Sequence, residues 1–147
     1  MPTRVMIMGL GPIGAGVARQ LVARKNFRIV SAVDIDPAKA GRDLGEVVDL
    51  GKKTGVKIGA DAVGAIRTTK PQVAVLCTSS ALKKVWPQVE AVLKLKVPIV
   101  STTEELSYPW FSNKALAARR SFIRRCPRHR AVDGLPSPQG AGLRPGL

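Results

Sequence analysis

Val5-Met6-Ile7-Met8 runs straight into Gly9-Leu10-Gly11-Pro12-Ile13-Gly14, and this stretch decides the fold. Four consecutive apolar residues closed by glycine read as a strand covered on both faces. The six that follow match G-x-G-x-x-G, in which each glycine has its own task. Gly9 permits the tight turn out of the strand. Gly11, without a β-carbon, lets a pyrophosphate approach the main chain, and Gly14 lets the next helix pack closely on the strand. The amides around Pro12 and Ile13 then face the phosphates at the positive end of a helix. Pro12 contributes no amide, but its fixed φ suits a first helical turn.

Outward from the turn, Ile13, Val17, Leu21 and Val22 recur at helical spacing, Asn26 ends that helix, and Ile29 to Val33 form a second strand ending at Asp34. Strand, glycine turn, helix and strand within about thirty residues make one βαβ unit. Asp34 is placed to accept hydrogen bonds from the adenosine ribose hydroxyls. The alternative is that Asp34 or Asp36 merely caps the next segment. A carboxylate repels a 2′-phosphate and Ile35 offers no positive partner, which points to NAD. Lys39 and Arg42 lie close enough in sequence to reach a phosphate, which leaves NADP open.

Further along, Pro37 opens a short segment limited by Gly41, Gly45 and Gly51, and Gly51 to Gly55 read as an exposed turn. Val56-Lys57-Ile58 is a third strand, Asp61 caps a helix through Ile66, and Val73 to Cys77 is a buried fourth strand. A helix with Val85, Val89, Val92 and Leu93 facing the sheet follows. Pro87 places its regular part from about Trp86. Val97 to Val100 is a fifth strand, and another helix begins at Asn113. The alternation implies a parallel sheet with right-handed crossovers in the order 3-2-1-4-5. The fold class is therefore α/β, a Rossmann-type doubly wound parallel sheet with an irregular basic C-terminal tail.

In this class the ligand lies beyond the carboxyl ends of the strands. That puts Cys77-Thr78-Ser79-Ser80 and Ser101-Thr102-Thr103-Glu104-Glu105 along one crevice. Thr78, Ser79 and Thr102 are candidates to bond the nicotinamide ribose or carboxamide, with helix capping as the competing role of Thr78 and Ser79. Cys77 reads as a core cysteine, because no histidine base is placed beside it. Glu104 and Glu105 read as a solvated helix start, with proton transfer or amine binding as the alternative. No catalytic residue is assigned.

The totals agree with one domain. The chain has 147 residues, 45% of them apolar, and no run long enough to cross a bilayer. Its start lacks the pattern of a signal peptide, so a cytoplasmic location is expected. Two cysteines without C-x-x-C spacing and a single histidine, His129, argue against a disulfide framework or a metal site. The net charge of +14 invites a nucleic-acid reading, but its distribution matters more. Residues 1–114 carry 17 Lys and Arg against 9 acids, and the remainder carries 7 Arg and one acid, Asp133. Residues 1–119 are read as the dinucleotide-binding domain and residues 120–147 as an irregular Arg/Pro/Gly-rich tail, of which residues 134–147, largely Gly, Pro, Leu and Ser, are too poor in buriable surface to order themselves.

Two stretches carry a family resemblance. Val33-Asp34-Ile35-Asp36-Pro37-Ala38-Lys39-Ala40-Gly41-Arg42-Asp43-Leu44-Gly45-Glu46 resembles the second-strand region of dihydrodipicolinate reductase-like proteins, and Ser101 to Pro109 resembles the 2,4-diaminopentanoate dehydrogenase branch. The resemblance spans about residues 3–119. It implies a nicotinamide-dependent reductase or amine dehydrogenase acting on a small amino-acid-derived substrate, with a second α+β domain supplying the substrate site and much of a homo-oligomer interface. It also implies that Gly9, Gly11 and Gly14 carry the pyrophosphate, Asp34 the ribose, and that Thr78 and Thr102 line the nicotinamide end. Ile35 departs from the arginine common after this acid in the reductases, which puts NADP preference in doubt. The larger departure is the tail, which stands where the family's substrate domain is expected. It reads as translation in another frame, a truncated product or a functional tail. The chain is expected to bind cofactor and to turn over slowly or not at all. The rival readings are a basic nucleic-acid-binding protein, separable by deleting residues 120–147, and a non-catalytic NAD(H) sensor.

Overall fold

Five parallel strands form the sheet of the computed structural model, which describes residues 1–106. In chain order these are β1 (Thr3–Met8), α1 (Pro12–Val22), β2 (Phe27–Val33), α2 (Leu44–Val47), β3 (Ile58–Gly59), α3 (Ala62–Thr69), β4 (Val73–Leu76), α4 (Leu82–Lys94) and β5 (Ile99–Ser101), followed by a 3₁₀ turn at Glu104–Leu106. The strand order is β3-β2-β1-β4-β5, as the alternation of elements implies. The expected helix at Asn113 and the tail lie outside the described residues.

The apolar run of β1 serves two cores at once. Successive strand residues point to opposite faces, so Val5 and Ile7 join Ala18 of α1, Leu44 and Val48 on one side. Met6 and Met8 join Ile66 of α3 and Leu82, Val85, Val89 and Val92 of α4 on the other. Met6 and Ile7 are fully buried. Each such side chain contributes about 1.5–3 kcal/mol of apolar burial, which is why a polar residue anywhere in this run would be expensive.

Three helices differ from the sequence expectation, α3 only in running on to Thr69 beyond Ile66. In α1 the buried residues are Gly14 and Ala18, with Ala15, Leu21 and Val22 packed beside them, whereas Ile13 is 63% exposed. Close approach of helix to strand at Gly14 selects that face, and it turns Ile13 outward. α1 also stops at Val22, before Asn26. In α4 the regular structure starts at Leu82, so Pro87 sits inside the helix. The ring removes one helical hydrogen bond, but the preceding turn buries Leu82 and Val85 almost completely, and that burial holds the helix through the proline.

Candidate functional site

One row of paired residues sets the geometry of the sheet's upper edge. Val33, Met8, Leu76 and Ser101 stand side by side in register across β2, β1, β4 and β5. All strands run the same way, so the next residue of each, Asp34, Gly9, Cys77 and Thr102, lies along a common lip. The ladder continues into it: the Gly9 amide donates to Val33 O at 2.8 Å, Cys77 to Met8 O at 2.8 Å and Thr102 to Leu76 O at 3.1 Å. The glycine turn, the acid and both hydroxyl-rich segments, far apart in sequence, are thereby neighbours.

The glycines divide by what a β-carbon would meet. Gly9 has φ +87°, a conformation that favours glycine, and a β-carbon there would press on Cys77 O and Thr78 Cγ2. One on Gly14 would land on the Gly9 carbonyl oxygen. Both positions are therefore required by packing alone. Gly11 is different, since a β-carbon there would meet no protein atom within 4 Å. It is the N-cap of α1 and provides no capping side chain. The first-turn amides of a helix have no partner within it, so at Ile13 and Gly14 they face the space that a side chain on Gly11 would occupy. Such a cradle can accept an anion.

Asp34 is tied into the turn. Its Oδ2 accepts the Leu10 amide at 2.7 Å and the Lys39 ammonium at 3.1 Å, and its Oδ1 accepts the Asp36 amide at 2.9 Å. Burial works against the charged form, yet the Asp36 and Leu10 amides and Lys39 outweigh it and hold the carboxyl below its ordinary value. Asp34 is ionised at neutral pH. It does not cap a helix: the nearby cap is Asp43, whose carboxylate accepts the amides of Gly45, Thr54 and Gly55 and fixes the loop before β3. Ile35, 85% exposed, lies open beside the carboxylate.

The hydroxyl segments are more structural than their sequence suggests. Thr78 is exposed and its Oγ1 donates to Gln88 Oε1 at 2.8 Å, while Ser79 Oγ accepts the Ala81 amide at 3.2 Å. Neither is the N-cap of α4, which is Ala81. The capping role falls to Glu105, whose Oε2 accepts the Leu82 amide at 2.8 Å from the 3₁₀ turn. Thr102 is exposed on the lip. Thr103 is buried, donating to Ser79 O at 2.8 Å and accepting from Ser101 Oγ at 2.8 Å, and so pins the end of β5 to the segment after β4. No periodicity in Ser101-Thr102-Thr103 marks Thr103 for this role, because the three differ only in the side of the chain on which they fall. Cys77 is partly buried, and its thiol is pushed up by burial against a weaker opposing bond from Thr102. It stays protonated at neutral pH, which suits packing better than nucleophilic attack.

Among the described residues no helix is long and apolar enough to cross a membrane, and no three His, Cys, Asp or Glu are grouped to hold a metal ion.

Comparison with known proteins agrees with this geometry. The family model described as dihydrodipicolinate reductase, N-terminus, matches residues 3–108. The 2,4-diaminopentanoate dehydrogenase of Acetoanaerobium sticklandii is 29% identical over 150 residues, covering 98% of this chain and 39% of that protein. An amine dehydrogenase structure from Mycobacterium smegmatis superposes with a TM-score of 0.76 at 32% identity, covering 81% of this chain and 35% of the other. A dihydrodipicolinate reductase from Paenisporosarcina sp. TG-14, solved with dipicolinate, shares the fold with a TM-score of 0.59 at 22% identity, over 83% of this chain and 43% of that one. The chain thus spans less than half the length of each of these relatives. The matches favour an oxidoreductase's nucleotide domain over the nucleic-acid reading of the charge. The chain belongs to the dihydrodipicolinate reductase N-terminal family and carries an NAD(P)-binding oxidoreductase domain of Rossmann type.

Proposed function

We propose that the lip above β1 and β2 binds the adenosine diphosphate half of NAD(H). In this reading Gly9, Gly11, Pro12, Ile13 and Gly14 form the cradle for the pyrophosphate, and Asp34 accepts the ribose hydroxyls. Thr78, Ser79 and Thr102 line the path of the nicotinamide half. The observation that carries it is the 2.7 Å bond from the Leu10 amide to Asp34 Oδ2. It joins the acid to the turn, so that one ionised carboxylate stands beside the one glycine of the three whose missing side chain no packing explains. Asp34 disfavours a 2′-phosphate, and Ile35 adds no positive charge, which supports NAD as the preferred cofactor.

Bound there, the nicotinamide would supply hydride chemistry. The chain's own part is to hold the cofactor in place and orient it. The substrate class we propose is a small amine or amino-acid-derived compound, by analogy with the amine and diaminopentanoate dehydrogenases. We further propose residues 1–119 as the nucleotide domain, with substrate groups supplied by a second domain and residues 120–147 taking no part in cofactor binding.

Calorimetric titration of the 147-residue chain with NADH tests this. Saturable binding is expected, weakened about tenfold or more by Asp34→Ala through loss of charge-assisted hydrogen bonds. Turnover of diamine or amine substrates by the chain alone is expected to be slow or absent. No uptake of NADH or NADPH at millimolar concentration by folded protein would overturn the assignment.

A further inference from the structure

Thr78, on the path of the nicotinamide half proposed above, is held at both branches of its β-carbon. Its methyl group lies against the glycine turn, where a β-carbon on Gly9 would come within 2.8 Å of Cγ2. Its hydroxyl donates to Gln88 Oε1 at 2.8 Å. A threonine held at both branches keeps a single χ1 rotamer. Gln88 reaches it from the flank of α4, half-buried, while Val85, Val89 and Val92 of the same helix are buried in the core. The bond also sets a polarity. A hydroxyl has one proton to give and two lone pairs, and the Gln88 carbonyl takes the proton. What Thr78, exposed beyond the lip, has left for a ligand is acceptor capacity alone. Ser79 is its complement, because its Oγ accepts the Ala81 amide at 3.2 Å and its proton is not spent on that bond.

We propose that Gln88 is a positioning residue that fixes Thr78 as an acceptor, so that the site recognises the N–H of a primary carboxamide, the group carried by the nicotinamide ring. The inference rests on the cofactor placement above and concerns the half of the cofactor remote from the diphosphate. A carboxamide has two N–H donors and a carbonyl acceptor. With its proton committed to Gln88, Thr78 takes one of those donors and offers nothing to the carbonyl. Freed from Gln88, the hydroxyl turns and presents proton or lone pair alike, so a ketone satisfies it as well as an amide does. An oriented acceptor discriminates because its bond is unmade when the ligand lacks the donor. Gln88 touches neither cofactor nor substrate and acts through Thr78.

The test is calorimetric titration of the wild-type chain, Gln88→Met and Gln88→Glu with NADH, with its reduced acetylpyridine analogue and with ADP-ribose. The analogue keeps the carbonyl and loses the N–H donors, and ADP-ribose lacks the nicotinamide ring. Wild type prefers NADH to the analogue about fivefold, the scale of one neutral hydrogen bond. Gln88→Met, close in shape but without the acceptor, reduces that preference to less than about twofold and leaves ADP-ribose affinity unmoved. Gln88→Glu keeps an acceptor for the hydroxyl and keeps the preference, a rescue that a packing role would not give. A preference equal in wild type and Gln88→Met, or lost in Gln88→Glu as well, overturns the proposal. Should the methionine variant fold poorly, the other two proteins decide, since equal affinity of wild type for NADH and the analogue overturns it too. ADP-ribose binding without the carboxamide preference removes the role of Gln88 alone, whereas a wild type that takes up no ADP-ribose removes the cofactor placement and this proposal with it.

Discussion

At the scale of single residues, the three glycines of the turn are alike in sequence and unlike in consequence. A methyl group on Gly14 would have to displace the Gly9 carbonyl, which is main chain and cannot rotate away. Gly14→Ala is expected to lower the melting temperature by roughly 5–10 °C, the effect of about 1–3 kcal/mol of overpacking in a domain of this size. Gly11→Ala meets no protein atom. It should leave stability within about 1 kcal/mol, the scale of an N-cap change, while reducing NADH affinity about tenfold by filling the cradle. Differential scanning fluorimetry and calorimetry on the two variants read these opposite signatures. Equal loss of melting temperature in both would contradict the division.

At the scale of elements, α4 starts without a capping side chain of its own and borrows a carboxylate from the 3₁₀ turn. Glu105→Ala removes that acceptor from the positive end of the helix. Stability should fall by about 1 kcal/mol, with faster hydrogen exchange confined to the first turn of α4. This contact shows why some of the site was legible in the sequence and some was not. β1, the turn, α1, β2 and Asp34 are local: their residues span about thirty positions, and each signal, an apolar run, a glycine spacing or an acid at a strand end, depends on near neighbours. The start of α4 is not local. Pro87 argues for a late start, and only the burial of Leu82 and Val85 by the sheet, with Glu105 arriving from 23 residues away, reverses it. Likewise the helical spacing of Ile13 and Val17 is real, but the packing face follows Gly14 and Ala18, because closeness to the strand outweighs side-chain apolarity there. Thr78 is tied to Gln88, a bond that no pattern in Cys77-Thr78-Ser79-Ser80 announces.

At the scale of the whole molecule, the carboxylate of Asp34 links protonation to folding. Its folded pKa lies below that of the unfolded chain, so the unfolded state takes up the proton first as pH falls. The stabilisation is complete above about pH 5, a unit above the ordinary aspartate value, and is lost progressively as pH drops through that value to the folded one. Urea unfolding of wild type and Asp34→Asn should show a gap that is constant from pH 7 to about pH 5 and closes at lower pH. A gap that widens on acidification would mean that the carboxylate is not held ionised. The bond from the Leu10 amide to this carboxylate has one more consequence. In the proposed site, sugar recognition and phosphate recognition would share a hinge pin, so neither could be retuned alone. Exchanging the acid for a small neutral residue to welcome a bulkier ribose would unlatch the loop proposed to seat the diphosphate.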